Sequence, residues 1–195
     1  MSSRSSPLGH RRANQLRIIG GRWRGRRLGF SSVPGLRPTP DRVRETLFNW
    51  LGQDLAGAKT LDLFAGSGAL TLEALSRGAV LGVAVDNHAA VVRKLVANGA
   101  ALGTTALETH CSDAKSFLVR ETRAFDVIFL DPPFGNADWD ALIPVVAARL
   151  APSGMLYVEA PTTIDAPPGM EVWRGDKAGR VHYHLLRRAD DVRSA

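Results

Sequence analysis

Residues 60–70 read TLDLFAGSGAL, and the break in pattern inside this stretch decides the fold. Its first half is apolar nearly throughout, as a strand covered on both faces must be. Gly66 and Gly68 interrupt it, and ALTLEALSRG at 69–78 resumes with helical spacing. A strand turning on glycines straight into a helix is the repeating unit of a parallel α/β sheet. The unit recurs: LGVAVD (81–86) precedes HAAVVRKLVANGAAL (88–102), ALETHC (106–111) precedes AKSFLV (114–119), and FDVIFL (125–130) precedes WDALIPVVAARL (139–150), with GMLYVEA (154–160) as a further strand. EVWRGDKAGRVHYHLLRR (171–188) has no helical period and is predicted as two strands around Gly179. An α/β fold with a mostly parallel sheet and helices on both faces follows.

Upstream of this body the composition changes. Residues 1–44 hold eleven arginines against the single acid Asp41, whereas the remainder is slightly acidic, fourteen Lys and Arg against eighteen acids. A basic arm on an acidic body points to a polyanionic partner, because arginine contacts to phosphate release counterions whatever the sequence. Residues 1–13 are too rich in Ser, Arg and Gly to bury a core and are expected to be a disordered basic tail. In QLRIIGGRWRGRRLGF (15–30) two short apolar segments flank Gly20-Gly21, which predicts a basic β-hairpin with its tight turn at that pair. Thr39-Pro40 matches an N-cap and a first helical residue, followed by Val43, Leu47 and Leu51 at helical spacing, with Arg42 and Arg44 turned away from the apolar stripe. The expected division is therefore 1–13 tail, 14–38 basic hairpin extension, 39–189 α/β domain and 190–195 tail. No apolar run is long enough to cross a bilayer and none resembles a secretory signal, so the expected location is the cytoplasm, away from any membrane. The lone Cys111 is expected to be a small buried core residue.

The ends of the predicted strands carry the chemistry. Gly66 and Gly68 permit a tight turn and close approach of a ligand, and a helix start favours an anionic group. A dinucleotide fingerprint would need glycine at position 71; Thr71 lowers that reading. Asp86 ends the second strand about twenty residues past the glycines, where a carboxylate accepts hydrogen bonds from ribose hydroxyls. Asp113-Ala114 after the third is placed to meet an adenine edge. Each Asp could merely cap a helix. Three successive strand ends carrying Asp62, Asp86 and Asp113 speak for a shared ligand.

On these residues the body resembles a class I S-adenosylmethionine-dependent methyltransferase. The resemblance implies a Rossmann-like sheet of seven strands whose last pair is antiparallel. It also implies that Asp62 and the turn Phe64, Ala65, Gly66, Ser67, Gly68 hold the methionine part, Asp86 with Asn87 the ribose, and Asp113 with Ala114 the adenine. The strand at 125–130 ends in Asp131, Pro132, Pro133 and Phe134, which matches the family motif for methylation of an exocyclic amine conjugated to a ring. Such an amine is a poor nucleophile because its lone pair is spread into the base. Asp131 and the Pro132 carbonyl would accept its N–H groups, Asp131 would also border the cofactor, Pro132 and Pro133 fix the backbone direction, and Phe134 offers a stacking face. No metal is called for. A base held in a duplex would first have to leave its stack.

RIIGGRWRGRRL, LRPTPDRVRETLFNWL, DLFAGSGALTLEALSRGA, FLDPPF and YVE, in this order, resemble the RsmD family of bacterial ribosomal RNA methyltransferases from about Arg17 to Leu186. That resemblance implies transfer to guanine N2 at the guanine-966-type position of 16S rRNA, with the assembled 30S particle as substrate; the enzyme is expected to be a monomer. Arg17, Arg22, Trp23, Arg24, Arg26, Arg27, Arg37, Arg42 and Arg44 are the expected RNA contacts, although Trp23 equally fits the core of the hairpin. His88, His182 and His184 match no catalytic position and are expected at the surface or in packing. Two other readings stay open: an amino-methyltransferase acting on adenine N6 in DNA or RNA, and a non-catalytic RNA-binding assembly factor on the same scaffold.

Overall fold

The computed structural model describes residues 14–133 and 138–189. A two-stranded antiparallel sheet, β1 (Gln15–Arg17) and β2 (Arg27–Gly29), precedes α1 (Asp41–Trp50). The main body then alternates β3 (Lys59–Asp62), α2 (Ala69–Ser76), β4 (Leu81–Asp86), α3 (Ala89–Leu102), β5 (Leu107–Cys111), α4 (Ala114–Arg120), β6 (Phe125–Leu130), α5 (Trp139–Ala147), β7 (Leu150–Ala160), β8 (Met170–Ala178) and β9 (Val181–Arg188). The large sheet has the order β5-β4-β3-β6-β7-β9-β8, parallel except where β9 pairs with β7 and β8. β3 and β6 lie side by side inside the sheet, and strand order reverses between them; in open α/β sheets the carboxyl ends of such strands are where ligands commonly bind.

The face of the sheet that a residue occupies follows from its parity. Leu61, Ile128, Leu130 and Val158 pack on one side with α4 and α5, while Phe129, Tyr157, Tyr183 and Leu185 pack on the other with α1 and α2. The hairpin belongs to that second core: Leu16, Ile18, Trp23 and Leu28 are buried in it with Val43, Leu47 and Phe48. Burying a Leu or Phe side chain is worth about 1.5–3 kcal/mol, so the basic segment is held as part of the domain.

Four local expectations are corrected. The turn of the hairpin is not at Gly20-Gly21; the chain runs on through a 3-10 turn at Gly21–Trp23 before β2. These glycines serve a packing contact instead, since Gly21 has φ +69° and a Cβ there would collide with the Ser76 carbonyl oxygen of α2. The helix starts one residue later than expected, with Pro40 as N-cap and Asp41 first. Arg44 does not point away from the core: it is 1% exposed. Cys111 is exposed, because β5 is the edge strand and its side chains are only partly covered. Residues 1–13 and 190–195, read as tails, lie outside the described residues, as does Phe134.

Candidate active site

The turn after β3 is shaped by Gly68, whose φ is +79° and whose missing Cβ leaves room for Leu95 of α3. Gly66 lies under Leu36, a residue of the segment joining the hairpin to α1, so Val33 and Leu36 help roof this turn together with Ala65, Ala84, Val91 and Leu95. Nothing in the sequence pattern marked Leu36 for that place. Phe64 is half-buried on the opposite core, and Ser67 accepts from the Ala69 N–H at 3.3 Å.

Asp62 is buried and accepts a hydrogen bond from Thr71 Oγ1 at 2.8 Å. Thr71, which spoils a dinucleotide fingerprint, thus acts as the hydroxyl donor of a buried acid. Burial nevertheless dominates, raising the Asp62 carboxyl to about 7, with the nearby charge of Asp86 adding to the effect. Asp86 accepts from Gly66 N–H at 3.0 Å and from His88 N–H at 2.8 Å, and His88 Nδ1 lies 3.2 Å from it. Its carboxylate therefore braces the glycine turn; with two acceptor sites on each oxygen it retains capacity for a ligand. Asn87 is exposed beside it and its carbonyl faces the Cys111 thiol at 3.8 Å. Asp113 caps α4 by accepting from Ser116 N–H at 2.9 Å, which holds its carboxyl below the ordinary value, and Ala114 behind it is buried.

Asp131, Pro132 and Pro133 follow β6 next to this turn, with Pro132 buried and Pro133 exposed. Burial, and then the charges of Glu159 and Asp62, push the Asp131 carboxyl well above the ordinary range. Glu159 of β7 is buried and accepts a hydrogen bond from Tyr157 Oη at 2.8 Å. Local spacing assigns this glutamate of the YVE run no task; an acid in an otherwise apolar strand, beside the strand ending in DPP, was the available signal. Asp62, Asp131 and Glu159 thus stand on three neighbouring strands without an ion-pair partner among the described residues.

That set of acceptors suits a ligand carrying positive charge close to the sheet, and an ammonium together with a sulfonium meets the requirement. Where ionised, the acids disfavour a ligand that brings phosphate to the same spot.

The basic side chains lie elsewhere. Arg17, Arg22, Arg24, Arg26, Arg27, Arg37 and Arg42 are exposed. Arg22 lies over the buried Trp23 ring at 4.0 Å and reaches Thr104 Oγ1 at 3.5 Å, while Arg26 reaches the Ala101 carbonyl at 3.4 Å. Trp23 is core. Arg44 is bonded to Glu73 at 3.1 Å, to Asp41 and to the carbonyls of Thr39 and Arg17, which leaves it no surface to offer RNA. His88 is exposed, whereas His184 is buried beside the stacked His182 ring.

Sheet order, glycine turn and strand-end acids together define a class I methyltransferase fold. A family model described as "Conserved hypothetical protein 95" matches residues 16–187. The chain is 42% identical to ribosomal RNA small subunit methyltransferase D of Escherichia coli, over 92% of this chain and 93% of that one, and 36% identical to the protein of the same name from Haemophilus influenzae, over 89% and 94%. The solved structure of Escherichia coli yhhF superposes with a TM-score of 0.81 at 43% identity, covering 89% of this chain and 98% of the other. The chain belongs to the RsmD family.

Proposed function

We propose that this protein transfers a methyl group from S-adenosylmethionine to the exocyclic N2 of a guanine, of the guanine-966 type, in the 16S rRNA of the small ribosomal subunit, acting as a cytoplasmic monomer. The observation that carries the reading is Asp131 with Pro132 and Pro133 at the end of β6, beside the glycine turn of β3. The relatives' names speak for ribosomal RNA over DNA and for an enzyme over a passive assembly factor.

When bound, the cofactor supplies an activated methyl on a positively charged sulfur. The turn Phe64 to Gly68 and Asp62 hold its amino-acid end, Asp86 with Asn87 its ribose, and Ala114 with the backbone around Asp113 its base. Asp131 and the Pro132 carbonyl accept the two N–H groups of the guanine amine, which turns the nitrogen lone pair toward the methyl. Proline at 132 and at 133 restricts φ there and biases the residue before it, so the carbonyl keeps its direction. Phe134 follows in sequence as a stacking face, a contact worth about 1–3 kcal/mol per base. The exposed arginines of the hairpin and α1 dock the RNA backbone.

Asp131→Ala is expected to keep the fold and much of the cofactor affinity while losing about 10²–10³ in the rate of methyl transfer, or about 2.7–4 kcal/mol. Asn at this position is expected to cost less, since its amide oxygen still accepts a hydrogen bond. Single-turnover assays with 30S particles and saturating cofactor, read by mass spectrometry for N2-methylguanosine, decide the matter. A well-folded Asp131→Ala protein working at the parental rate would sink the reading.

A further inference from the structure

Methylating an amine leaves a proton to be disposed of. As the nitrogen gives its lone pair to the methyl carbon, the carbon–sulfur bond breaks and its electron pair stays on sulfur. The nitrogen then carries a positive charge and must lose one proton to become a neutral N-methyl amine. A base within reach has to take it.

The strand register places a second acid beside the first. Leu130 of β6 pairs with Val158 of β7, so the next residues along these parallel strands, Asp131 and Glu159, are neighbours on the sheet face that carries Phe129 and Tyr157. Glu159 is 5% exposed, and Tyr157 Oη donates to its Oε1 at 2.8 Å, which fixes the side chain and favours its charged form. Resting on the reading of the site given above, we propose that Glu159 is a positioning residue of the reaction: set beside Asp131 and held by Tyr157, it makes with Asp131 the carboxylate pair that takes up the proton released by the methylated amine.

The division of labour follows from electrostatics. A neighbouring negative charge raises the proton affinity of a carboxylate and a neighbouring positive charge lowers it. While the methyl donor's positive charge is close, Asp131 stays ionised and accepts the amine N–H. Once the transfer has consumed that charge, Glu159 raises the proton affinity of Asp131 at the moment a proton is available. Asp131 takes it, and the nitrogen regains its lone pair. The titratable groups facing Glu159 are Tyr157 on its own strand, its register partner Tyr183 on β9 and Asp131 just past the end of β6, while Asp62 of β3 acts on Asp131 from the other side. Arg42 of α1 acts on Tyr183 and Asp176 at the outer side.

Carboxyl-selective NMR titration of the full-length protein without cofactor tests the pair directly. Glu159→Gln is expected to move the Asp131 midpoint to lower pH, and Tyr157→Phe, which withdraws the hydroxyl that favours ionised Glu159, to move it the same way by less. In single-turnover assays Glu159→Gln is expected to lose about 10²-fold, the low end of what a proton-transfer group contributes. An Asp131 midpoint unmoved in either variant overturns the proposal, and the Tyr157→Phe protein keeps it open to refutation should Glu159→Gln not fold. The two readings fail separately: an active Asp131→Ala protein removes the site itself, whereas an inactive one beside a Glu159→Gln protein with parental rate and midpoint removes only the pair.

Discussion

Two buried acidic sites lie on the same side of the sheet and are built in opposite ways. Glu73, fully buried in α2, accepts from Ile19 N–H (3.0 Å) and Gly20 N–H (2.7 Å) and is ion-paired to Arg44 (3.1 Å) and Arg77 (3.0 Å). It ties hairpin, α1 and α2 together and leaves no acceptor free. At the carboxyl ends of β3, β6 and β7, the buried Asp62 and Glu159 each accept from one hydroxyl, Asp131 beside them is half-buried, and burial raises all three carboxyls. A compensated acid holds a fold together, while acids without a charge partner at neighbouring strand ends are candidates for binding a ligand.

The largest effect that would test this contrast is at Glu73. Glu73→Ala leaves Arg44 buried with its main charge partner gone and strips two backbone N–H groups of their acceptor. Removing one member of a buried pair costs about 3–5 kcal/mol. Denaturant unfolding should show that loss, and cofactor affinity measured on the folded fraction should remain. A loss below about 1 kcal/mol would place Glu73 among weak surface-like ion pairs and erase the contrast.

Asp62 should behave in the reverse sense, through pH. Its folded carboxyl sits at about 7 against an ordinary value near 3.8. The native state therefore binds a proton that the unfolded chain has released between those values, and stability falls as pH rises through that window. The contribution is complete below pH ~4 and lost above ~7. Asp62→Asn cannot ionise, so the parental protein should lose stability relative to this variant between about pH 4 and pH 7, by an amount on the order of a few kcal/mol. S-adenosylmethionine should narrow the difference. Parallel melting curves for the two proteins across this range would remove Asp62 from the uncompensated set.

The difference between the two sites also explains what was legible in the sequence. Alternating strands and helices could be read because strands covered on both faces are apolar throughout; Asp62 and Asp131 could be read because glycines or prolines follow them, and Asp86 and Asp113 because they end the next strands in order. The Glu73 site was not legible: apart from Arg77 its partners lie 29, 53 and 54 residues away, so Arg44 looked like one more surface arginine and Gly20-Gly21 like a local turn. Spacing gave a hint, because Arg44 precedes Phe48 by one helical turn and a lone Glu73 interrupts an apolar helix. Cys111 was misplaced for a related reason, since which strand lies at the edge depends on the sheet order and not on the strand's own residues. Glu159 needed the register of β6 against β7 before it could be seen beside Asp131.

The smallest expected effect concerns the exposed arginines, and it separates them from Arg44. Arg22, Arg24, Arg26 and Arg27 surround a turn anchored by the buried Trp23, so the charges are presented from a fixed base. Their replacement by alanine should leave cofactor affinity and unfolding nearly unchanged, because exposed charges contribute little to stability. Binding to 30S particles should weaken, and the dependence of log K on log salt should flatten by about 0.7–0.9 for each phosphate that an arginine no longer neutralises. Arg44→Ala should do the opposite, lowering stability through the Glu73 site while the folded protein keeps the parental slope. If the four-arginine variant bound with that same slope, the basic face would be solvated charge, and RNA docking would have to be sought at Arg17, Arg37 and Arg42, the other exposed arginines of this segment.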